Sequence, residues 1–169
     1  MQTKTTAPRR TILAAALIAA LAAPAAATAS AASPHWTLDV NLASYHTERW
    51  ARHSLNQNNL GLGVTWRASR DWSVSSGFYR NSYRRDSTYM LANWTPLHLP
   101  LRGGWSLAAG ATAGLDSGYR TDELATEPVV AAALVQLRAP SGWSVNLTGV
   151  PNDGPGRSGF VGAQFSLPL

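Results

Sequence analysis

Cysteine is absent from all 169 residues, which excludes disulfides, zinc-thiolate centres and thiol nucleophiles. Lysine occurs at position 4 and nowhere else, and no acidic residue precedes Asp39. Long hydrophobic runs are missing as well: beyond Leu21 nothing approaches the roughly 20 apolar residues that a membrane-crossing helix needs. Helical periodicity is scarce after Ser33. Apolar and polar residues alternate there instead, in segment after segment.

Residues 1–32 read as an export signal that is removed, leaving residues 33–169 as the folded domain. Lys4, Arg9 and Arg10 make a positive start, residues 11–21 are apolar, and Ala27-Thr28-Ala29 or Ala29-Ser30-Ala31 supplies small residues for cleavage. Three of the 14 basic residues fall in this segment and none of the 9 acidic ones, so 11 arginines face 9 carboxylates in the remainder. The whole-chain pI of about 10.2 is therefore partly a property of the signal. Nucleic acid is not expected as a partner. Arginine without lysine suits phosphate, whose oxygens a planar guanidinium can grip in pairs.

Eight alternating segments follow: residues 35–45, 59–67, 72–81, 87–94, 104–115, 128–138, 142–150 and 158–169. In the first, Trp36, Leu38, Val40 and Leu42 oppose Thr37, Asp39 and Asn41. In the third, Trp72, Val74 and Phe78 oppose Ser73, Ser75, Gly77 and Tyr79. Connections after even-numbered strands are mostly tight, whereas those after odd-numbered strands are longer and more polar, notably residues 46–58 and 116–127. An even strand count with short turns at one end and long loops at the other is the pattern of an all-β, eight-stranded antiparallel up-and-down transmembrane barrel.

The aromatic residues agree. Trp36, Trp72, Trp105 and Trp143 open strands while Trp66 and Trp94 close them, which gathers six indoles at the short-turn rim. Tyr45, Tyr79, Tyr83, Tyr89 and Tyr119 lie toward the other rim. Amphipathic rings favour the headgroup level of a bilayer, so two belts have a physical cause that a soluble sandwich lacks. Eight strands leave a bore too narrow for an open pore. Inward glycines at 61, 63, 110, 114 and 162 are expected to leave space inside it.

The long-loop rim collects His46, His53, Asn81, Ser82, Asp86 and Ser87, with Arg49, Arg52, Arg80, Arg84, Arg85, Arg120 and Arg157 around them. A histidine beside a serine can act as base to a hydroxyl, and arginines can hold lipid phosphates. His35 and His98 fall at the opposite rim. No metal site or cofactor is expected. These residues alone leave open whether the barrel is an enzyme or a non-catalytic lipopolysaccharide-binding or membrane-supporting protein.

From about Tyr45 onward the chain resembles the lipid A palmitoyltransferase family. The resemblance rests on LGLGV at 60–64, FYRNS at 78–82, WTPL at 94–97, GATAGLDSGYRTD at 110–122 and NLTGVPNDGPGRSGFVGAQFSL at 146–167. It implies a bacterial outer-membrane enzyme, monomeric, that moves a palmitoyl chain from a phospholipid donor to lipid A and measures that chain inside the barrel. Residue by residue it implies His46 as base, Ser82 as its hydroxyl partner, and Asn81 where the family has aspartate. Asp86 is an alternative for the orienting group, and Asp86 and Ser87 are alternative catalytic candidates. Arg49, Arg84 and Arg85 are expected on lipid A phosphates, and Pro151 at a lateral gate, since proline cannot donate to a ladder. A lipid A deacylase is a weaker reading. Strict alternation from Trp36 would turn His46 outward, so an inward His46 requires a β-bulge or the end of strand regularity before it.

Overall fold

The computed structural model describes residues 35–169 apart from Ala125 and Asp153, so the expected signal segment lies outside the described residues. The strands are β1 (His35–His46), β2 (Asn58–Arg67), β3 (Trp72–Arg80), β4 (Asp86–Pro100), β5 (Ser106–Asp116), β6 (Val129–Arg138), β7 (Ser144–Val150) and β8 (Phe160–Pro168), with one short helix, α1 (Arg49–Ser54), between β1 and β2. They form a closed antiparallel barrel in sequence order, sealed by pairing of β1 with β8. Both strand termini and the short connections share one end, here the terminal rim. Residues 47–57, 81–85, 117–128 and 151–159 form the opposite, loop rim.

Polarity is inverted relative to a water-soluble core. Among the described residues the buried apolar side chains are Ala51, Tyr89, Ala108, Leu134 and Ala139, whereas Asp39, His46, Asn93, Gln136, Asn146 and eleven other polar residues are buried. Large apolar residues face outward, with Leu60 65% and Leu97 67% exposed, joined by Leu62, Phe78, Met90 and Leu115. A continuous apolar exterior of this kind calls for an apolar solvent. None of the described helices is long and apolar enough to cross a membrane.

The bore is held by a directed hydrogen-bond network that ends on Asp39, which is fully buried. Asn93 Nδ2 donates to Ser75 Oγ at 2.7 Å, the Ser75 and Thr65 hydroxyls are 2.7 Å apart, and Thr65 Oγ1 donates to Asp39 Oδ2 at 2.5 Å. From the other side Asn146 Nδ2 donates to Ser166 Oγ at 2.8 Å, and Ser166 Oγ to Asp39 Oδ1 at 2.6 Å. Six strands are tied to one carboxylate, across the seam between β1 and β8. A carboxylate only accepts, so it terminates both chains without a competing donor.

Two expectations change. β4 continues six residues past Trp94, because two residues, Thr95 and Pro96, bulge where Trp94 pairs with Ala111 and Leu97 with Ala109. Gly110 sits opposite that bulge, where a Cβ would fall 1.9 Å from the Trp94 carbonyl oxygen. Tyr79 and Tyr89 point into the bore, so they are not an external belt. Their rings occupy the space freed by the glycines of β2 and β3: a Cβ on Gly63 would lie 2.3 Å from the Tyr89 hydroxyl. The tryptophans do gather at the terminal rim, with Trp36 opposite Trp66, Trp72 against Trp94 at 6.1 Å and Trp105 against Trp143 at 5.2 Å.

Asp39→Ala removes the acceptor of both chains and leaves buried hydroxyls unpaired. It is expected to cost on the order of 3 kcal/mol in urea unfolding of the micelle-folded protein, where Ser44→Ala, outside this network, costs less.

Candidate active site

A register change turns His46 inward. Between Asn41 and Ala43 two steps of β1 meet a single step of β8, from Gln164 to Ala163. Leu42 and Ala43 are consequently both exposed, and Ser44 and His46 are both buried. One extra residue reverses the face of everything beyond it.

The bulge brings His46 to Ser82. Nε2 lies 3.1 Å from Ser82 Oγ, His46 is 3% exposed, and the Phe160 ring stands 5.7 Å away at 54°. Neighbouring bonds fix the protons. Asn59 Nδ2 donates to the Arg80 carbonyl at 3.0 Å, so its Oδ1 accepts the Ser44 hydroxyl at 2.6 Å. The Ser44 oxygen, 3.4 Å from Ser82 Oγ, then has no proton left to give it. Ser82 is free to donate to Nε2, which puts the imidazole proton of the neutral ring on Nδ1. Nδ1 is buried with no partner among the described residues. The arrangement is a base and hydroxyl without the orienting carboxylate of a full triad.

Asn81, although adjacent to Ser82, does a different task. It is fully buried, donates from Nδ2 to Ser87 Oγ at 3.0 Å and to the Gly118 carbonyl at 2.9 Å, and accepts at Oδ1 from the backbone N–H of Tyr83 and Arg85. It caps the β3–β4 loop and fastens it to the β5–β6 loop. Ser87 belongs to the same knot, donating to the Ser117 carbonyl. Asp86 is exposed opposite Arg80 at the start of β4, on the other strand face from Ser87. The structure thus joins His46 to Ser82 and leaves Asn81, Asp86 and Ser87 outside the pair.

The acidic group whose charge acts on His46 is Glu48. Hydrogen bonds from Ser158, Thr47 and Asn152 push its carboxyl down to about 2. They also tie the start of α1 to the β7–β8 loop. Arg49, Arg84 and Arg120 are exposed on the loop rim. Arg85 is committed elsewhere, to Glu123, the Gly118 carbonyl and the Tyr83 ring.

Pro151 is exposed immediately after β7. Pairing of β6 with β7 stops at Ala133 and Gly149, whereas β6 pairs with β5 out to Val129. The loop-rim end of β6 therefore lacks a β7 partner, leaving a gap in the wall. The inward residues beside it, Val130, Ala132, Thr148 and Gly162, are small and half-buried, and a Cβ on Gly162 would meet only the Phe160 ring and the Thr148 carbonyl, at 3.8 and 3.9 Å. Tyr79 fills the β2–β4 side, whereas Tyr89 crosses the bore, its hydroxyl accepting from Asn41 Nδ2 and Gln164 Nε2 at 3.4 Å, so the space beside Gly162 lies on the loop-rim side of that tyrosine. Neither a family model nor a curated protein matches the sequence.

Sequence reasoning missed Ser44 and Asn59. Once a bulge is admitted at Leu42, their parity is the signal that would have found Ser44. Asn81→Asp puts a carboxylate against the Gly118 carbonyl and removes two donated bonds, so amide exchange of Tyr83 and Arg85 is expected to accelerate; a carboxylate serving His46 would instead raise activity. Glu48, depressed below its ordinary 4.5, contributes its loop tie above that value and loses it as pH falls toward about 2. Tryptophan emission from Trp50 should report release of α1 within that window and stay unchanged above it.

Proposed function

We propose that this chain is an outer-membrane enzyme that transfers a fatty acyl chain, palmitoyl by the resemblance, from a phospholipid to lipid A. The observation that carries the reading is the buried contact between His46 Nε2 and Ser82 Oγ at the loop rim. The apolar exterior sits in the bilayer, the tryptophan-rich terminal rim faces the periplasm and the loop rim faces outward. Lipid A phosphates meet Arg49 and Arg84. The donor chain enters through the gap at Pro151 and lies along Val130, Ala132, Thr148 and Gly162.

In this reading the attacking hydroxyl gives its proton to Ser82 Oγ while Ser82 passes its own to His46 Nε2, as the substrate oxygen adds to the ester carbonyl; the proton returns by the same path to the departing lysophospholipid oxygen. Ser82 stands between Nε2 and the reacting atoms and relays the proton. The bore is closed to bulk water on the β2–β4 side by Tyr79 and Tyr89, which limits loss of the acyl group to hydrolysis. The unpartnered Nδ1 favours a second reading, a non-catalytic barrel that binds lipopolysaccharide and supports the membrane, because an unoriented histidine is a weaker base.

Mass spectrometry of lipid A from cells with and without the protein separates the two: gain of an acyl chain supports transfer, and no change supports the second reading. In micelles with labelled phospholipid, His46→Ala and Ser82→Ala should each lower turnover by about a hundredfold or more; wild-type rates in both would end the assignment. Gly162→Leu should shift preference to shorter chains while leaving the barrel folded.

A further inference from the structure

A second concentration of charge lies at the terminal mouth, at the far end of the bore from His46. Arg67 ends β2 and Arg138 ends β6, each in phase with the inward residues of its strand, Gly63 and Thr65 in one and Leu134 and Gln136 in the other. In a closed ring of eight strands taken in order, β2 and β6 are diametrically opposed. Their side chains therefore approach across the mouth. The charges of Arg67 and Arg70, the latter in the β2–β3 turn, both act on Arg138.

Little negative charge answers them. The carboxylate that acts on Arg138 is Asp71, already engaged by His98 Nε2 at 2.8 Å. Asp39, further up the bore, is taken by the hydroxyls of Thr37, Thr65 and Ser166. Arg138 donates from Nη2 to Gln136 Oε1, while its Nε is buried with no partner among the described residues. Partly dehydrated like charges repel and are costly to hold together unless an anion completes them. Two guanidinium forks arriving from opposite walls present paired donors to both sides of one tetrahedral group.

We propose that the terminal mouth binds a phosphate-class oxyanion between Arg67 and Arg138, with Arg70 at its edge. The site is separate from the His46–Ser82 pair and does not depend on acyl transfer. The same chemistry is carried by free phosphate and by a glycerophosphate headgroup.

The test is titration of the full-length folded domain in dodecyl maltoside micelles, at constant ionic strength, followed by amide and arginine Nε resonances. Inorganic phosphate and glycerol 3-phosphate are expected to shift the Arg138 Nε signal saturably, and whichever binds tighter identifies the source. Arg138→Gln and, from the opposite wall, Arg67→Gln should each weaken binding about tenfold or more, with heat-modifiable gel mobility verifying that each is folded. Arg84→Gln, at the other rim, should leave it unchanged. Absence of a saturable shift, an equal response to acetate, or affinity unaltered in both folded mouth variants would overturn the proposal.

Discussion

Two runs of donors converge on the Asp39 carboxylate, one arriving through β4, β3 and β2 and the other through β7 and β8, and the rest of the molecule leans on that convergence. A barrel with an apolar exterior gains little from burying oil inside, because its outer surface already has the apolar contact it needs. Cohesion across the bore must come from polar groups that find one another. A chain of hydroxyls and amides is cooperative only if it has an end that accepts and does not donate, and Asp39 is that end. Its position beside the β1–β8 seam places the strongest acceptor where the first and last strands must be joined.

The same bore is divided along its length and across its width. On the β2–β4 side, glycines admit Tyr79 and Tyr89, whose rings fill it. Tyr89 also reaches across to Gln164 on β8, and the small residues of β6–β8 lie on its loop-rim side, next to the length of β6 that β7 does not reach. The His46–Ser82 pair lies at the loop rim above that stretch. The charged mouth at the other end shares none of these features, which is why the two ends admit separate chemistries.

Much of the fold was legible because lipid-facing barrels write it at a period of two. The eight strands, the gathering of six tryptophans at one rim, and the inward Thr37, Asp39 and Asn41 follow from alternation alone. Where alternation fails, legibility failed with it. The bulge at Thr95 and Pro96 hid the continuation of β4, and the tyrosines assigned to a belt by their height on the strand turned out to belong to the bore by their phase. Asn81 shows a different limit: the resemblance gave it a task shared with Ser82, yet its side chain is turned into the loop backbone.

The sequence by itself determined which faces of the strands are apolar, how many strands there are, and which rim would carry histidine, serine and arginine. Only the tertiary structure decided that His46 meets Ser82, that Ser44 and Asn59 fix the proton between them, and that Arg67 and Arg138 confront each other. The physical reason is that strand periodicity is local, set by neighbouring residues. The phase after a bulge and the meeting of side chains from opposed strands depend on how the ladder closes, and no short stretch of residues contains that information.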